Sequence, residues 1–234
     1  MRVTRSAALR LVVACSLVAA CSLVAACSQS GPLAGVQPQP VVKQQTMSAV
    51  EGSLEVVGVM PFYPRPDLAP RLAGQELGPD DVADLVSSYF AEALRGMDVR
   101  VVGPSDMALV FTNKGRAMSR RDPRLAAEVA AAEFGLTSIV MGEVSRWRDR
   151  EGEAYGADRP AGVGFEASLF EVRQGRRLWR GRFDHTQRTI TGNVFAAARY
   201  PGGGTRWLTV TELARWGASM AVQAMVDGQW RVSN

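Results

Sequence analysis

Leu54-Glu55-Val56-Val57-Gly58-Val59-Met60-Pro61 is an apolar, β-branched run that ends at a proline. Such a run is typical of a strand buried at the centre of a sheet. The prolines and glycines at positions 64, 66, 70, 74 and 78 predict a long loop after it, over residues 62–78, with no regular structure.

The segment after this loop has the pattern of an amphipathic helix. Pro79 suits the first helical position, and Asp80 and Asp81 favour the positive end of the helix dipole. Gly96 is typical of a helix end. The apolar residues that recur at helical spacing, and so predict one core-facing stripe, are Val82, Leu85, Val86, Tyr89, Phe90, Ala93 and Leu94.

The chain continues this alternation as far as residue 135. Residues 99–102 are a predicted strand, and a short helix is expected from Ser105 to about residue 112. Another helix opens at Asp122-Pro123 and ends near Gly135. Strands that alternate with helices in this way favour an α/β arrangement.

Beyond residue 136 the apolar pattern becomes that of strands. Residues 137–148, 162–172 and 177–187 are predicted strands, and the tight turn at Gln174-Gly175 makes the last two antiparallel. The last helix begins at Thr209, which has capping-box spacing to Glu212. The predicted fold class is α/β, an α+β sandwich: a mixed sheet with a β-α-β start, an antiparallel three-strand continuation and helices packed on the sheet.

Residues 1–26 have the organisation of a signal peptide. Arg2, Arg5 and Arg10 precede residues 11–26, which have no charge. This apolar run of 16 residues is shorter than the roughly 20 that a helix needs to cross about 30 Å of hydrocarbon. A cleaved signal is therefore favoured over a permanent anchor or a core helix.

Val24-Ala25-Ala26-Cys27 resembles the lipobox of bacterial lipoproteins, in which an apolar and two small residues precede a cysteine. The resemblance implies that Cys27 is lipidated with diacylglycerol and an N-acyl chain, and no other cofactor is expected. The hexapeptide Cys-Ser-Leu-Val-Ala-Ala begins at Cys15 and again at Cys21, and Cys21 is the alternative lipidation site. Cys27 is preferred because cleavage before it uses the whole apolar stretch.

The mature chain is predicted to have a tether and one domain. After Cys27, residues 28–53 are rich in Pro, Gln, Ser and Val, which predicts a flexible segment spanning on the order of 28 Å as a coil and about 85 Å when stretched. Residues 54–230 contain no cysteine, so an apolar core must hold this single α/β domain together.

The charge of the mature chain is close to zero. The signal peptide has 3 of the 27 Lys and Arg residues and none of the 23 Asp and Glu residues, which leaves 24 against 23, or +1. Charge therefore gives no support for a nucleic-acid partner.

Two segments together resemble the hallmark strands of a bacterial lipoprotein superfamily. They are Val57-Gly58-Val59-Met60-Pro61-Phe62 and residues 133–144, Glu-Phe-Gly-Leu-Thr-Ser-Ile-Val-Met-Gly-Glu-Val. Gly175-Arg176-Arg177-Leu178-Trp179 is similar to the turn that follows them. The superfamily includes the periplasmic domain of the peptidoglycan-synthase activator LpoB, the core domain of the curli secretion lipoprotein CsgG and, more remotely, the amino-terminal domain of TolB.

The resemblance covers residues 54–226. It implies a lipid-anchored envelope protein at the periplasmic face of the outer membrane, a non-enzymatic accessory or assembly factor that binds another envelope protein. Ser28 after Cys27 is compatible with outer-membrane sorting in bacteria that use an aspartate retention signal. The chain lacks the long amphipathic insertions that CsgG uses for its pore, and no residues match an LpoB partner surface, so neither specific role is carried over.

The predicted partner-binding residues lie in two loops and one hairpin. The loops 62–78 and 149–161 are long, and their predicted exposed residues are Tyr63, Arg65, Arg71, Tyr155 and Arg159. Arg180 and Arg182 share one face of the last hairpin with Asp184. This face is expected to be either a solvated sheet surface or a site for an acidic partner or a lipid headgroup.

Two other classes of function stay open. A small-ligand or cell-wall glycan binder would have an apolar cleft with a few convergent polar groups. A hydrolase would use paired carboxylates, which would come from Glu143, Glu166, Glu171 and Asp184. His185, the only histidine, lacks metal-ligand spacing and favours a structural or surface role, and Gly202-Gly203-Gly204-Thr205 favours a flexible loop over a phosphate site.

Overall fold

The computed structural model describes residues 41–69, 77–113, 123–187, 200–204 and 206–230. The strands in these residues are β1 (Val42–Thr46), β2 (Val56–Val59), β3 (Tyr63–Pro64), β4 (Arg100–Val102), β5 (Ser138–Arg148), β6 (Glu151–Glu153), β7 (Gly156–Arg159), β8 (Gly162–Glu171) and β9 (Arg177–Thr186). The α-helices are α1 (Pro79–Arg95), α2 (Pro104–Asn113), α3 (Pro123–Phe134) and α4 (Val210–Trp230). The predicted signal peptide, with Cys21 and Cys27, and the predicted site residue Arg71 lie outside the described residues.

The main sheet is mixed, as the sequence predicted. Its strand order is β1-β9-β8-β5-β2-β4, and β3 also pairs with β5. β2 lies parallel to both of its neighbours, so that Gly58 is level with Val102 on one side and Ile139 on the other. From β5 onward the strands β8, β9 and β1 pair antiparallel. The β-α-β start and the antiparallel continuation are confirmed.

Helices α1 and α4 cover one face of the sheet along most of its width. A row of aromatic rings connects them to the strands, from Phe62 through Phe90 and Phe165 to Phe183, with ring centroids 5.0, 5.4 and 5.1 Å apart. These four side chains are buried. Gly217 lets α4 approach closely, because a Cβ at this position would lie 2.7 Å from the ring of Phe183.

Helices α2 and α3 cover only part of the opposite face. They pack on β2 and β4, on the start of β5 and on the end of β8 around a second, smaller apolar cluster, whose buried residues are Met60, Met107, Val129, Leu136, Ile139, Met141 and Val172. Gly58 permits this packing, since a Cβ there would lie 2.4 Å from Leu136 Cδ1. The rest of this face, which comprises the second half of β5 from Glu143 onward and the parts of β8, β9 and β1 beside it, has no described helix over it.

The ends of the helices follow the sequence signals. The backbone N–H of Gly78 donates to Asp81 Oδ2 at 2.9 Å at the start of α1, and Gly96 follows its last residue. At α4 the Thr209 N–H donates to Glu212 Oε2 at 2.9 Å, and the Glu212 N–H donates to Thr209 Oγ1 at 3.2 Å. The predicted capping box is confirmed. None of the helices in the described ranges is both long and apolar enough to cross a membrane.

Three segments that the sequence predicted as irregular contain strands. The tether was predicted to run to residue 53, but Val42–Thr46 pairs with β9, so this boundary is wrong. The predicted loop 62–78 contains β3, and the predicted loop 149–161 contains the β6–β7 hairpin. All four strands are short, and Val42 is their one buried residue, so they lack the apolar run that identifies a buried strand.

Candidate functional site

The half of the sheet that no described helix covers presents a polar surface, which we call the open face. Successive side chains of a strand point to opposite sides, so alternate residues of β1, β5, β8 and β9 belong to it. Its charged and polar residues are Lys43, Gln45, Glu143, Arg146, Arg148, Glu166, Ser168, Arg180, Arg182 and Asp184. Five of these are basic and three are acidic, so the open face has an excess of positive charge.

Arg180 and Glu166 form a two-bond ion pair across neighbouring strands. Arg180 Nε donates to Glu166 Oε1 and Nη2 donates to Oε2, both at 2.7 Å. The hydrogen bonds and charge of Glu166 raise the pKa of Arg180. This fork geometry fixes both side chains in the plane of the surface.

Asp184 lies between two arginines on the same surface. Arg182 Nη2 donates to Asp184 Oδ2 at 3.1 Å, and Arg146 forms a short ion pair with Asp184 Oδ1. Arg146 can lie across β8 because Gly164 has no side chain there: a Cβ would come within 3.2 Å of the Arg146 Cβ. The ion pairs therefore link β5 and β9 over the backbone of β8.

β3 brings two more predicted residues to this surface. Tyr63 is level with Glu143 in the parallel pairing of β3 and β5. Arg65 Nε lies 4.0 Å from Glu143 Oε1 and donates to Asp67 Oδ1 at 3.0 Å. The hydrogen bond from Arg65 lowers the pKa of Asp67. Tyr63 and Arg65 thus adjoin the surface that contains Arg180 and Arg182, although the sequence placed the two pairs in separate segments.

The carboxylates of the hydrolase hypothesis are partners of arginines. Glu143 and Glu166 lie opposite each other on β5 and β8, with side chains 36% and 33% exposed. Arg65 lies near the first and Arg180 binds the second. Glu171 pairs with Arg176 Nη2 at 3.4 Å. This arrangement is typical of structural ion pairs on a sheet surface rather than of two carboxylates that converge on a substrate.

A second polar region, the hairpin end, consists of the β6–β7 hairpin and residues 206–212 at the start of α4. The Trp207 N–H donates to the Ala154 carbonyl at 2.7 Å, and Arg150 Nη1 donates to the Trp207 carbonyl. Tyr155, at the hairpin turn, is 83% exposed, and Arg159 pairs with Glu151 at 3.3 Å. These two predicted site residues therefore lie at the hairpin end and not on the open face.

The start of α4 is anchored by Asp149, which the sequence did not identify as a site residue, and by Glu212 of the capping box. Asp149 Oδ1 accepts the Val210 N–H at 2.9 Å. Arg206 donates two hydrogen bonds to Glu212, at 2.8 and 2.6 Å, and these bonds, with that from the Thr209 N–H, lower the pKa of Glu212 to about 2. The capping spacing identified Glu212, but its pairing with Arg206 depends on a turn that spacing alone does not define.

A groove of about 600 Å³ lies between α1 and α4. Its lining combines apolar and polar side chains, namely Leu77, Leu85, Tyr89, Pro201, Thr211, Glu212, Arg215, Trp216 and Ser219. The guanidinium carbon of Arg215 lies 4.7 Å from the centre of the Tyr89 ring, and Arg215 Nε lies 3.5 Å from Glu92 Oε2. The groove has the mixture of groups expected of a small-ligand site.

His185 lies in an aromatic cluster. Its ring contacts those of Phe183, Tyr200 and Trp216, and its Nε2 is hydrogen bonded to the Tyr200 hydroxyl. Asp184 belongs to the opposite side of β9, as the alternation predicted. The glycine run, expected to be a flexible loop, is part of a short 3₁₀ helix, Pro201–Gly204.

No protein-family model and no curated protein sequence matches the chain. Several solved structures are similar in fold. The PelC dodecamer from Paraburkholderia phytofirmans is 16% identical, with a TM-score of 0.43, and the match covers 76% of this chain and 91% of that one. Lipoprotein GNA1162 from Neisseria meningitidis is 15% identical, with a TM-score of 0.41, and the match covers 56% of this chain and 82% of that one. The LpoB C-terminal domain from Salmonella enterica is 14% identical, with a TM-score of 0.34, and the match covers 57% of this chain and 84% of that one. The resemblance to CsgG and TolB stays a prediction.

Proposed function

We propose that this chain is a lipid-anchored protein of the bacterial cell envelope, a non-enzymatic accessory or assembly factor that binds another envelope protein through the open face. The observation on which this rests is the half of the sheet that no described helix covers, together with the convergence of Tyr63, Arg65, Arg180 and Arg182 there. The anchor is the lipid on Cys27 that the lipobox predicts, with Cys21 as the alternative.

The chemistry of the open face defines the kind of partner. Arg146, Arg180 and Arg182 are held by carboxylates within the surface, so a partner needs no large rearrangement of these side chains to bind. The excess of positive charge favours a partner surface with acidic side chains. Association through such a surface is expected to weaken as the salt concentration rises.

The anchor is tested by intact-mass analysis of membrane fractions from cells that express the wild type, Cys27→Ala or Cys21→Ala. The expected result is a diacylated or triacylated amino-terminal Cys27 in the wild type and in Cys21→Ala, and no lipid in Cys27→Ala. An uncleaved or unlipidated wild-type chain would contradict the proposed location.

The partner surface is tested by crosslinking and co-purification from the same membranes. Arg180→Gln/Arg182→Gln should lose a co-purifying envelope protein that the wild type retains. Arg100→Gln is the matched control, because Arg100 is an exposed arginine on β4 at the opposite edge of the sheet. Retention of the same protein by the double variant would show that the open face is not the binding surface.

A second candidate function, a binder of cell-wall glycan fragments, is favoured by the groove between α1 and α4. Trp216 offers aromatic surface, and Thr211, Ser219 and Arg215 offer hydrogen-bond donors. A thermal-shift titration with soluble cell-wall fragments tests it, with Ser219→Ala and Thr211→Ala as groove variants. A shift that both variants reduce would support this function, and the absence of any shift would count against it.

A further inference from the structure

The pairing of β1 shows at which end of the sheet the amino-terminal segment leaves the domain. Val42 is level with Phe183 and Thr46 with Trp179, so toward its amino terminus β1 runs in the direction of Thr186, the end of β9. Thr186 is level with Gly162, and Gly162 with Arg148. The segment before Val42 therefore leaves the sheet at the end where β5 finishes and β8 begins.

The hairpin end lies at this same end of the sheet. The β6–β7 hairpin connects Arg148 to Gly162, and the Asp149 carboxylate and the Ala154 carbonyl hold it to the backbone at Val210 and Trp207. Tyr155, at the hairpin turn, is the most exposed large apolar side chain among the described residues. The β8–β9 turn around Gln174 lies at the opposite end.

Few residues separate the predicted lipidation site from the first strand. Because β1 belongs to the sheet, 14 residues, 28 to 41, separate Cys27 from Val42 rather than the 26 of the predicted tether. As a coil they would span on the order of 20 Å, and about 50 Å at full extension. A lipid at Cys27 would hold the hairpin end nearer to the bilayer than the Gln174 end.

We infer that the hairpin end contacts the membrane surface, with Tyr155 at the level of the lipid headgroups. This inference rests on the proposed lipid anchor. Tyrosine suits this position because its ring is apolar and its hydroxyl stays hydrated.

The charge of the hairpin defines the lipids that it fits. Residues 149–159 have four acids and two arginines, a net charge of −2. Anionic headgroups would repel this segment, so the surface that it fits is zwitterionic. The open face lies along the side of the sheet and would stay accessible to a partner while the hairpin end is on the membrane.

The experiment uses single cysteines, because the predicted mature chain has no thiol other than that of Cys27. Gly156→Cys and Gln174→Cys are each produced as lipidated protein, labelled with an environment-sensitive fluorophore and reconstituted in phosphatidylcholine vesicles with a nitroxide on the headgroup. Both positions are exposed, and a Cβ at Gly156 would meet no atom within 4 Å, so neither substitution removes a core contact and Tyr155 is kept. We expect quenching at position 156 to be at least threefold stronger than at position 174.

The outcomes separate this inference from the proposed function. Equal quenching at the two positions in a protein that floats with the vesicles would overturn the contact of the hairpin end and leave the anchor intact. Failure of the wild-type protein to float would remove the anchor and, with it, this inference. Replacing a third of the phosphatidylcholine with phosphatidylglycerol should reduce quenching at position 156, and an increase would contradict the assigned lipid class.

Discussion

The two sides of β8 and β9 have the same backbone and opposite chemistry. On the inner side the rings of Phe165 and Phe183 stack under α4, with their centroids 5.1 Å apart. On the outer side Glu166 pairs with Arg180 at the protein surface. Packing against helices restricts the inner residues to shapes that fit. The outer residues meet no described helix, so we expect the inner side to contribute most of the stability, and recognition through the outer side is the proposal to be tested.

A substitution on the inner side should give the largest loss of stability. Phe183→Ala removes a fully buried ring that contacts Phe165, Trp216 and His185, and the free energy of unfolding should fall by about 3–5 kcal/mol. Urea unfolding followed by circular dichroism measures it. The neighbouring outer variant Arg182→Gln should lose less than about 1 kcal/mol, and similar losses for the two variants would remove the distinction between the two sides.

A substitution in the edge strand β1 should lower the free energy of unfolding by an amount between those of Phe183→Ala and Arg182→Gln. Val42 is the buried residue of β1, whereas Lys43 beside it is exposed. Val42→Asp places a charge in an apolar site and should cost about 2–3 kcal/mol, with faster amide hydrogen exchange at residues 179–183 of β9. Lys43→Asn should leave both unchanged. If Val42→Asp leaves exchange in β9 unaltered, β1 does not belong to the sheet.

The ion pair of Glu212 at the hairpin end should make a smaller, pH-dependent contribution to the free energy of unfolding. The pKa of Glu212 is lowered from 4.5 to about 2, so its stabilising effect is complete above pH 4.5 and is lost as the pH falls toward 2. Because the side chain is 37% exposed, Glu212→Gln should cost about 1 kcal/mol at pH 7 after allowance for solvent screening, and close to nothing at pH 2.

Urea unfolding at pH 7, 4 and 2.5 measures this dependence. Arg206→Gln is the matched control, since it removes the other half of the pair and should reduce the same pH dependence. A Glu212→Gln deficit that is constant from pH 7 to pH 2.5 would show that the ion pair does not stabilise the start of α4.

The open face should give the smallest effect on stability. Arg180→Gln breaks a pair whose side chains are 47% and 33% exposed, and the expected cost is below about 1 kcal/mol. Partner binding should nevertheless fall about tenfold or more at low salt, measured by crosslinking yield, with Arg100→Gln unchanged. A loss of stability as large as that of Phe183→Ala would place Arg180 among the structural residues.

The sequence predicted most of the buried elements and few of the exposed ones. Pro79 and Gly96 delimit α1, and the apolar runs of β5, β8 and β9 identify these strands. β1 was missed because Val-Lys-Gln-Gln-Thr buries only its valine, and its Gln44 contributes through a hydrogen bond from Trp179 Nε1 at 2.9 Å. Such a bond depends on a residue 135 positions away, which no local pattern contains.

The candidate site was predictable residue by residue but not as a surface. Alternation placed Arg180, Arg182 and Asp184 on one side of a strand. That no described helix covers this side depends on where α2 and α3 pack on the sheet, near Gly58, which Met107 and Leu136 contact. The approach of Arg65 to Glu143 likewise follows from the two-residue strand β3. The sequence did not predict this strand, because it contains Pro64.

The most direct measurement is site-specific photocrosslinking in native membranes, with a photoreactive amino acid at position 45 of the open face, level with Arg180, or at position 100 of β4. The predicted result is one discrete adduct with an envelope protein from position 45, none from position 100, and loss of the adduct when Cys27→Ala is combined with the probe at 45. No adduct from position 45, or the same adduct from both positions, would contradict recognition through the open face.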